Sequence, residues 1–586
     1  MAKLLIHSSL MAFILFVSVH SAHGQPAHQK TDRTQTAKTF VELLSRGKFD
    51  DAVENFDDVM LKVMPANQLK KTWETVLADA GAYKKPLGTR IETSGIYQIV
   101  HVTCEFAKRP LDVRVVFNKA GRISGLQFRP PAPEGAEEIW EGKLKAGVID
   151  LRLVFHLFKA KDGSYVGTMD SPDQGAKGIA LDEVRIKDDT ARLQLKRANL
   201  FVEGTFDKQG QEIKGHLKQG GVTFPLTLKR VAKAQEVRRP QTPLKPYPYT
   251  EVDIVYKNTK AGINLAGSLT LPRGKSPIPA VLLITGSGAE DRDETIFGHK
   301  PFLVLADYLT RRGIAVLRVD DRGVGGSTGS VPDSTSADFA DDVLAGVAYL
   351  KSRKEIDPAR IGLIGHSEGG IIAPLVASRS HDIAFIVLLA GPGLPGEQIL
   401  YTQGTAILKA MGADAQQIAR QKEIQQRIFT IVRQEKDNAA AQAKIKKALE
   451  DLASKLGKDE KKQLMEGLPQ VEGQLSGVLN PWFRYFLEYD PRSALRKVTC
   501  PVLALGGDKD LQVDAQVNLP IIAATLKEAG NKDVTTKEFP GLNHLFQACK
   551  TGSVSEYGRI EETIAPVVLQ TIADWIQQRT GGAGTP

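Results

Sequence analysis

The residue types and spacing that most directly suggest chemistry are Gly365-His366-Ser367-Glu368-Gly369. The stretch follows an apolar run, RIGLI, and precedes GGIIAPLVAS, which reads as a helix. A G-x-S-x-G pentapeptide is common by itself. Between a strand and a helix, however, it describes a sharp turn that presents a serine hydroxyl at the end of a sheet. Glycines on both sides let neighbouring backbone approach closely. The following helix directs its positive end towards negative charge developing there. The competing reading is a serine that only caps a helix.

A serine hydroxyl is a weak nucleophile and needs a base oriented by a third group. Two later strand ends offer candidates. PVLALGGD leads into Lys509-Asp510-Leu511, and VTTKEFPG leads into Leu542-Asn543-His544. In the chain order serine, acid, histidine, His544 is the base, and the acid lies in the turn holding Asp508 and Asp510. His366 is fixed within the serine turn, while His299 and His381 precede or begin helical runs. His156 and His216 are isolated among strand residues. A developing oxyanion needs two backbone donors. The N–H of Glu368 is one. The other is assigned to Ser287, with Gly288 next in line, in the loop Thr285-Gly286-Ser287-Gly288 after PAVLLI. That loop lacks the lysine and spacing of a phosphate cradle.

For these residues to meet, their strands must lie side by side with their carboxyl ends together. Residues 249–580 supply the pattern: near-continuous apolar runs (PAVLLITG, IAVLRVDD, IAFIVLLAG) alternating with helical segments such as SADFADDVLAGVAYLKS. This predicts an α/β fold with a mostly parallel, doubly wound sheet. Ligands bind such sheets at the carboxyl ends of the strands. The alternation is interrupted over about 396–498, a stretch rich in Ala, Gln, Lys and Glu that reads as an inserted helical cap. Near its end, Pro481-Trp482-Phe483-Arg484-Tyr485-Phe486 forms an aromatic cluster. Trp482 or Phe486 is expected to face Ser367 and line a substrate pocket; the alternative is packing within the cap.

Two smaller domains precede this one. Residues 33–130 carry helical periodicity (Phe40, Val41, Leu44; Leu69, Trp73, Val76) and then alternating strands, IYQIVHVTCEF and LDVRVVF, predicting a small α+β domain. Pro130, Pro131 and Pro133 mark its end. Residues 138–232 read as short strands between glycine turns, a small β-sandwich or partial barrel. A proline-rich linker, 233–248, follows, where few contacts are expected to cross.

Bulk properties narrow the class. A chain of 586 residues is too long for one core. A net charge of +9 with interspersed signs points to an ordinary solvated surface and not to a nucleic-acid partner. Cys104, Cys500 and Cys549 make an odd set with no disulfide framework, and Cys500 and Cys549 are expected at opposite ends of the sheet. No CxxC or HExxH spacing suggests a metal, and serine chemistry requires no cofactor. Residues 1–24 read as a cleaved export signal: a positive start at Lys3, an apolar stretch from Leu4 to Val19, and small residues before Gln25. The stretch is short for a membrane span, carries His7, Ser8 and Ser9, and has no charged stop. No stable anchor is expected, and the location implied is periplasmic or extracellular.

Residues 33–130 resemble the cone-shaped helper domain found ahead of some bacterial α/β-hydrolases. The catalytic part resembles bacterial carboxylesterases of the EstD type, within the serine-hydrolase branch of the α/β-hydrolase superfamily. The matching runs are TGSGAEDRD, VDDRGVGGS, GHSEGG, GGDKDLQV and GLNHLFQ. The resemblance implies an esterase acting on small-molecule carboxylic esters, with Ser367, Asp510 and His544 as its triad. Related hydrolases carry the acid in a G-x-x-D-x-x-V run, which Gly507 to Val513 fits with Asp510. Thr285 stands where related enzymes often have histidine, which leaves open how that loop is supported. Two other readings stand beside the esterase. One is a serine peptidase using the same residues. The other is a catalytically silent binding protein whose front domains recognise a cell-wall or polymeric ligand.

Overall fold

The structure, a computed structural model, describes residues 33–581 except 58–59, 62–63, 95–96, 109, 119, 130–136, 147–148, 160–162, 220–221, 235–236, 275–276, 455–456, 458–460, 462–474 and 476. The expected export signal, the Pro130–Pro133 boundary and part of the expected cap lie outside the described residues. No helix among the described residues is long and apolar enough to cross a membrane.

The C-terminal part is built on eight strands: β1 (Thr250–Asn258), β2 (Ile263–Leu271), β3 (Ile278–Ile284), β4 (Ala315–Val319), β5 (Ile356–His366), β6 (Phe385–Leu389), β7 (Val502–Gly507) and β8 (Val534–Phe539). Their order across the sheet is β1-β2-β4-β3-β5-β6-β7-β8. β1 and β2 pair antiparallel, as do β2 and β4, and every later pair is parallel. The central strands are apolar on both sides because both faces are covered. Leu282, Leu363, Leu388 and Ala504 pack on one face with α2 (Ser336–Lys351) and α3 (Gly369–Ala377). Val281, Ile364, Val387 and Leu503 pack on the other with α1 (Pro301–Thr310) and α9 (Pro566–Thr580).

Between β6 and β7 lie α4 (Gly396–Ala410), α5 (Ala415–Gln434), α6 (Asn438–Ser454) and α7 (Pro481–Glu488). They share a separate core that includes Phe429, Ile445, Leu449 and Phe483. α8 (Ala515–Glu528) returns the chain along β8.

The front of the chain forms two further units. Helices Arg33–Ser45 and Ala66–Ala80 pack on a four-stranded antiparallel meander. Its first strand, Tyr83–Ser94, was not legible as a strand. It contains Pro86 and Gly88 and is an edge strand with exposed Leu87 and Ile91, where a proline is tolerated and apolar alternation is not enforced. Residues 137–231 form a single nine-stranded antiparallel sheet. Leu181 N donates to Gly167 O and Asp182 N to Gln194 O, so residues 181–182 bridge strands from opposite halves of the sheet, which curls around one core as a partial barrel does.

The expectation for the 233–248 linker fails at Arg239 and Gln241. The Arg239 guanidinium donates to the carbonyls of Phe297 (2.8 Å), Gly558 (2.8 Å) and Ile560 (2.9 Å). The Gln241 side chain bonds Ile564 O (2.7 Å) and accepts from Thr563 N (2.5 Å) and Ile564 N (3.0 Å). Composition reveals the prolines of a linker but not the carbonyls that a neighbouring guanidinium reaches. The nine-stranded sheet also touches the C-terminal part here, through Asp173 to Arg559 at 3.2 Å. From the first unit, Tyr97 Oη donates to Gly325 O at 2.6 Å.

Candidate active site

The serine turn is defined by backbone geometry. Ser367 has φ +53, in the left-handed region that residues other than glycine rarely occupy. Its N–H donates to Leu389 O at 2.9 Å, tying the turn to the end of β6. The flanking glycines are obligatory. A Cβ on Gly365 would collide with the Gly369 carbonyl, and one on Gly369 with the Ile284 carbonyl. Ser367 is half-buried and sits between β5 and α3.

The turn after β7 separates its two acids. Asp510 is buried, and its Oδ2 lies 2.7 Å from His544 Nδ1. Asp508 is exposed and accepts from Gly541 N at 2.6 Å, a backbone contact across the two loops. Asp510 and His544 are therefore brought together, and Asp508 is not part of that pair. Ser367 and His544 make no direct hydrogen bond in this state among the described residues. Such contacts are often loose before substrate arrives.

The loop after β3 lies against the serine turn, since a Cβ on Gly286 would come 3.5 Å from Ser367 Cβ. Ser287 and Gly288 are half-buried, with Gly288 at φ +122. Among the described residues the backbone N–H groups of Ser287 and Glu368 donate to no other backbone carbonyl. The support for this loop, left open by Thr285, is a carboxylate: Thr285 Oγ1 donates to Asp321 Oδ1 at 2.8 Å, and Glu290 N to Asp321 Oδ2 at 2.9 Å. Burial raises the Asp321 carboxyl well above the usual range, against those two hydrogen bonds, with the Glu290 and Glu368 charges adding to the rise.

Glu368 has a buried side chain with its own partners. Oε1 accepts from Ser336 Oγ at 2.6 Å and from Trp482 Nε1 at 2.8 Å. Burial pushes this carboxyl up to about 7, while the Ser336 and Trp482 hydrogen bonds oppose the rise. Trp482 thus reaches the residue after Ser367. Phe486 stacks behind it, with ring centroids 5.4 Å apart, and is buried against Ile371 and Ile399. Of the two expected pocket residues, only Trp482 comes to the serine turn.

One histidine that the sequence reading set aside, His366, meets a carboxylate beside the serine turn, whereas another, His299, is held elsewhere. Glu294, in the acidic run after the glycine loop, bonds His366 Nδ1 at 2.8 Å. His299 is buried between Thr563, Tyr557 and Gln547, and burial lowers it to about 4. The run AEDRDE was visible as a cluster of acids, but no local pattern shows which of them turns inward. All three cysteines are free. Among the described residues no cluster of His, Cys, Asp and Glu has the geometry to hold a metal ion.

An eight-stranded sheet in this order, with a strained serine at the β5–α3 turn and an Asp–His pair on the loops after β7 and β8, defines an α/β-hydrolase. The curated relative "Esterase EstD" of Thermotoga maritima is 26% identical over 66% of this chain and 78% of its own length. In sequence the chain is similar to EstD, and its fold is that of the α/β-hydrolases. A family model described as X-Pro dipeptidyl-peptidase (S15 family) matches residues 261–519, and one described as a protein of unknown function, DUF3887, matches 37–126. Similar solved structures include the Pyrococcus furiosus esterase Pf2001, with TM-score 0.34 and 15% identity, covering 60% of this chain and 100% of that one. Another is the α/β-hydrolase GrgF from Penicillium sp. sh18, with TM-score 0.36 and 16% identity, covering 57% of this chain and 99% of that one.

Proposed function

We propose that this chain is an exported serine hydrolase that cleaves small-molecule carboxylic esters through Ser367, His544 and Asp510. Ser367 Oγ attacks the ester carbonyl while His544 takes its proton. Asp510 fixes the imidazole tautomer and stabilises the imidazolium. The N–H groups of Ser287 and Glu368 hold the tetrahedral oxyanion. The alcohol leaves with the proton from His544, and water then releases the acid from the acyl-enzyme by the same route.

The observation that carries this reading is the 2.7 Å contact between Asp510 and His544 beside the strained Ser367 turn. The printed name of the Thermotoga relative supports esters as the substrate class. Helices α4 to α7 act as a cap over the site, with Trp482 at its inner edge. Residues 1–24 support export; N-terminal sequencing of secreted or periplasmic protein should then begin at Gln25.

The S15 match supports a second reading, amide hydrolysis by the same residues. A fluorophosphonate probe mapped by mass spectrometry should label Ser367. Turnover of a panel of esters and aminoacyl amides then separates the two activities. Absence of labelling on folded protein would leave a binding protein as the reading.

A further inference from the structure

Glu294 joins two loops through one atom. Its Oε1 accepts from Gly286 N at 2.9 Å and lies 2.8 Å from His366 Nδ1. The residue adopts φ +51, a left-handed conformation that glutamate rarely takes, so the loop is bent to bring this carboxylate inward. The other nitrogen of His366, Nε2, lies 3.1 Å from the backbone oxygen of His544. A carboxylate and a carbonyl are both acceptors. A neutral imidazole has one N–H, so it would satisfy one of them and turn a lone pair on the other. The geometry is satisfied only by the doubly protonated ring.

The surroundings agree with that state. Both side chains are buried, 9% and 6% exposed. Burial lowers the His366 pKa, but the charge and hydrogen bond of Glu294, the His544 carbonyl and the Asp510 charge outweigh it and hold the ring up to about 9. The titratable groups facing it are Glu294 from the loop after β3, Asp510 from the turn after β7, and His544, whose ring centroid is 4.8 Å away.

We propose that Glu294 and the imidazolium of His366 are positioning residues that lock three loops in one register: those bearing Ser287, Ser367 and His544. The inference rests on the reading of those residues as the ester-hydrolysing site. His366 belongs to the serine turn, Glu294 holds the oxyanion loop at Gly286, and His366 holds the base loop at the His544 carbonyl. When His366 loses its proton from Nε2, a lone pair faces that carbonyl and the base loop is released. The charged state is present below about pH 9 and is lost as pH rises through it. Turnover therefore falls on the alkaline side, while KM for a small ester, which is not bound through these groups, stays nearly constant.

The test is a set of pH–rate profiles on the full-length chain with a short activated ester. Glu294→Gln keeps an oxygen to accept both bonds but removes the counter-ion. It should move the alkaline limb of kcat down by about one pH unit or more and so lower kcat at pH 8 by about twofold or more. Glu294→Asp, which keeps the charge, should bring the limb part of the way back. His366→Gln cannot titrate and should give a lower, flat profile with no fall near pH 9. A folded Glu294→Gln variant with the wild-type limb overturns the proposal. If that variant does not fold, a limb persisting near pH 9 in His366→Gln overturns it, and its disappearance supports it. Ser367→Ala separates the two levels. A variant still hydrolysing the ester removes the underlying reading, whereas an inactive one beside an unmoved Glu294→Gln limb removes only this inference.

Discussion

The carboxylate of Asp510 holds His544 with one oxygen and its own turn with the other. Oδ2 lies 2.7 Å from His544 Nδ1, while Oδ1 accepts from Gln512 N at 2.7 Å and Val513 N at 2.9 Å. The turn's own backbone therefore orients Asp510 independently of His544. An asparagine can keep the Oδ1 bonds but cannot stabilise an imidazolium. Asp510→Asn should lower kcat by about a hundredfold or more with KM and folding nearly unchanged. Asp508→Asn loses only a contact to Gly541 N and should cost far less activity, with any loss tracking stability. If steady-state kinetics give the opposite pattern, Asp508 is the acid.

Trp482 and Phe486 stack on each other but should behave differently when removed. Trp482 meets Glu368 beside the serine, so Trp482→Ala should alter the preferred acyl chain length across an ester series. Phe486 is buried against Ile371 and Ile399, so Phe486→Ala should lower stability by about 3 kcal/mol through a core cavity. An unchanged ester profile in folded Trp482→Ala would make that indole a packing residue.

Glu368 links stability to pH. Its pKa is raised in the folded chain to about 7, so the folded state binds a proton that the unfolded state gives up at lower pH. Its contribution is fully present below the ordinary glutamate range and is lost as pH rises through about 7. Glu368→Gln retains an oxygen for Ser336 and Trp482 and does not titrate. Thermal melts should show wild type losing stability between about pH 4.5 and 7 more steeply than the variant. Parallel curves would show that Glu368 is ionised throughout.

Arg239 and Gln241 make the end of the linker part of the catalytic fold. Replacing both by alanine in the full chain should cost about 2–4 kcal/mol, because several carbonyls lose charged or amide donors. A chain begun at Val237 keeps both residues and should hydrolyse small esters within about tenfold of the full chain. One begun at Pro243 should melt lower. Equal melting temperatures for the two truncations would show that these contacts add nothing.

Legible in the sequence alone were the succession of an α+β, an all-β and an α/β pattern, the strand–turn–helix around Ser367 and the loops that carry His544, Asp508 and Asp510. Apolar runs, flanking glycines and helical periodicity are local properties, set by the backbone and by which faces are covered. The helices between β6 and β7 were legible for the same reason, whereas the Tyr83–Ser94 edge strand, free of burial on its outer side, left no such pattern. Only the tertiary structure shows that Asp510 meets His544 while Asp508 turns to Gly541, since both sit in one turn and differ in which way the chain turns them. It alone brought Glu294 to His366 across 72 residues, and Arg239 to Gly558 across 319. The partner of a buried polar side chain depends on where loops from distant strands meet. Their meeting is fixed by the packing of the whole sheet and not by any pattern within one segment.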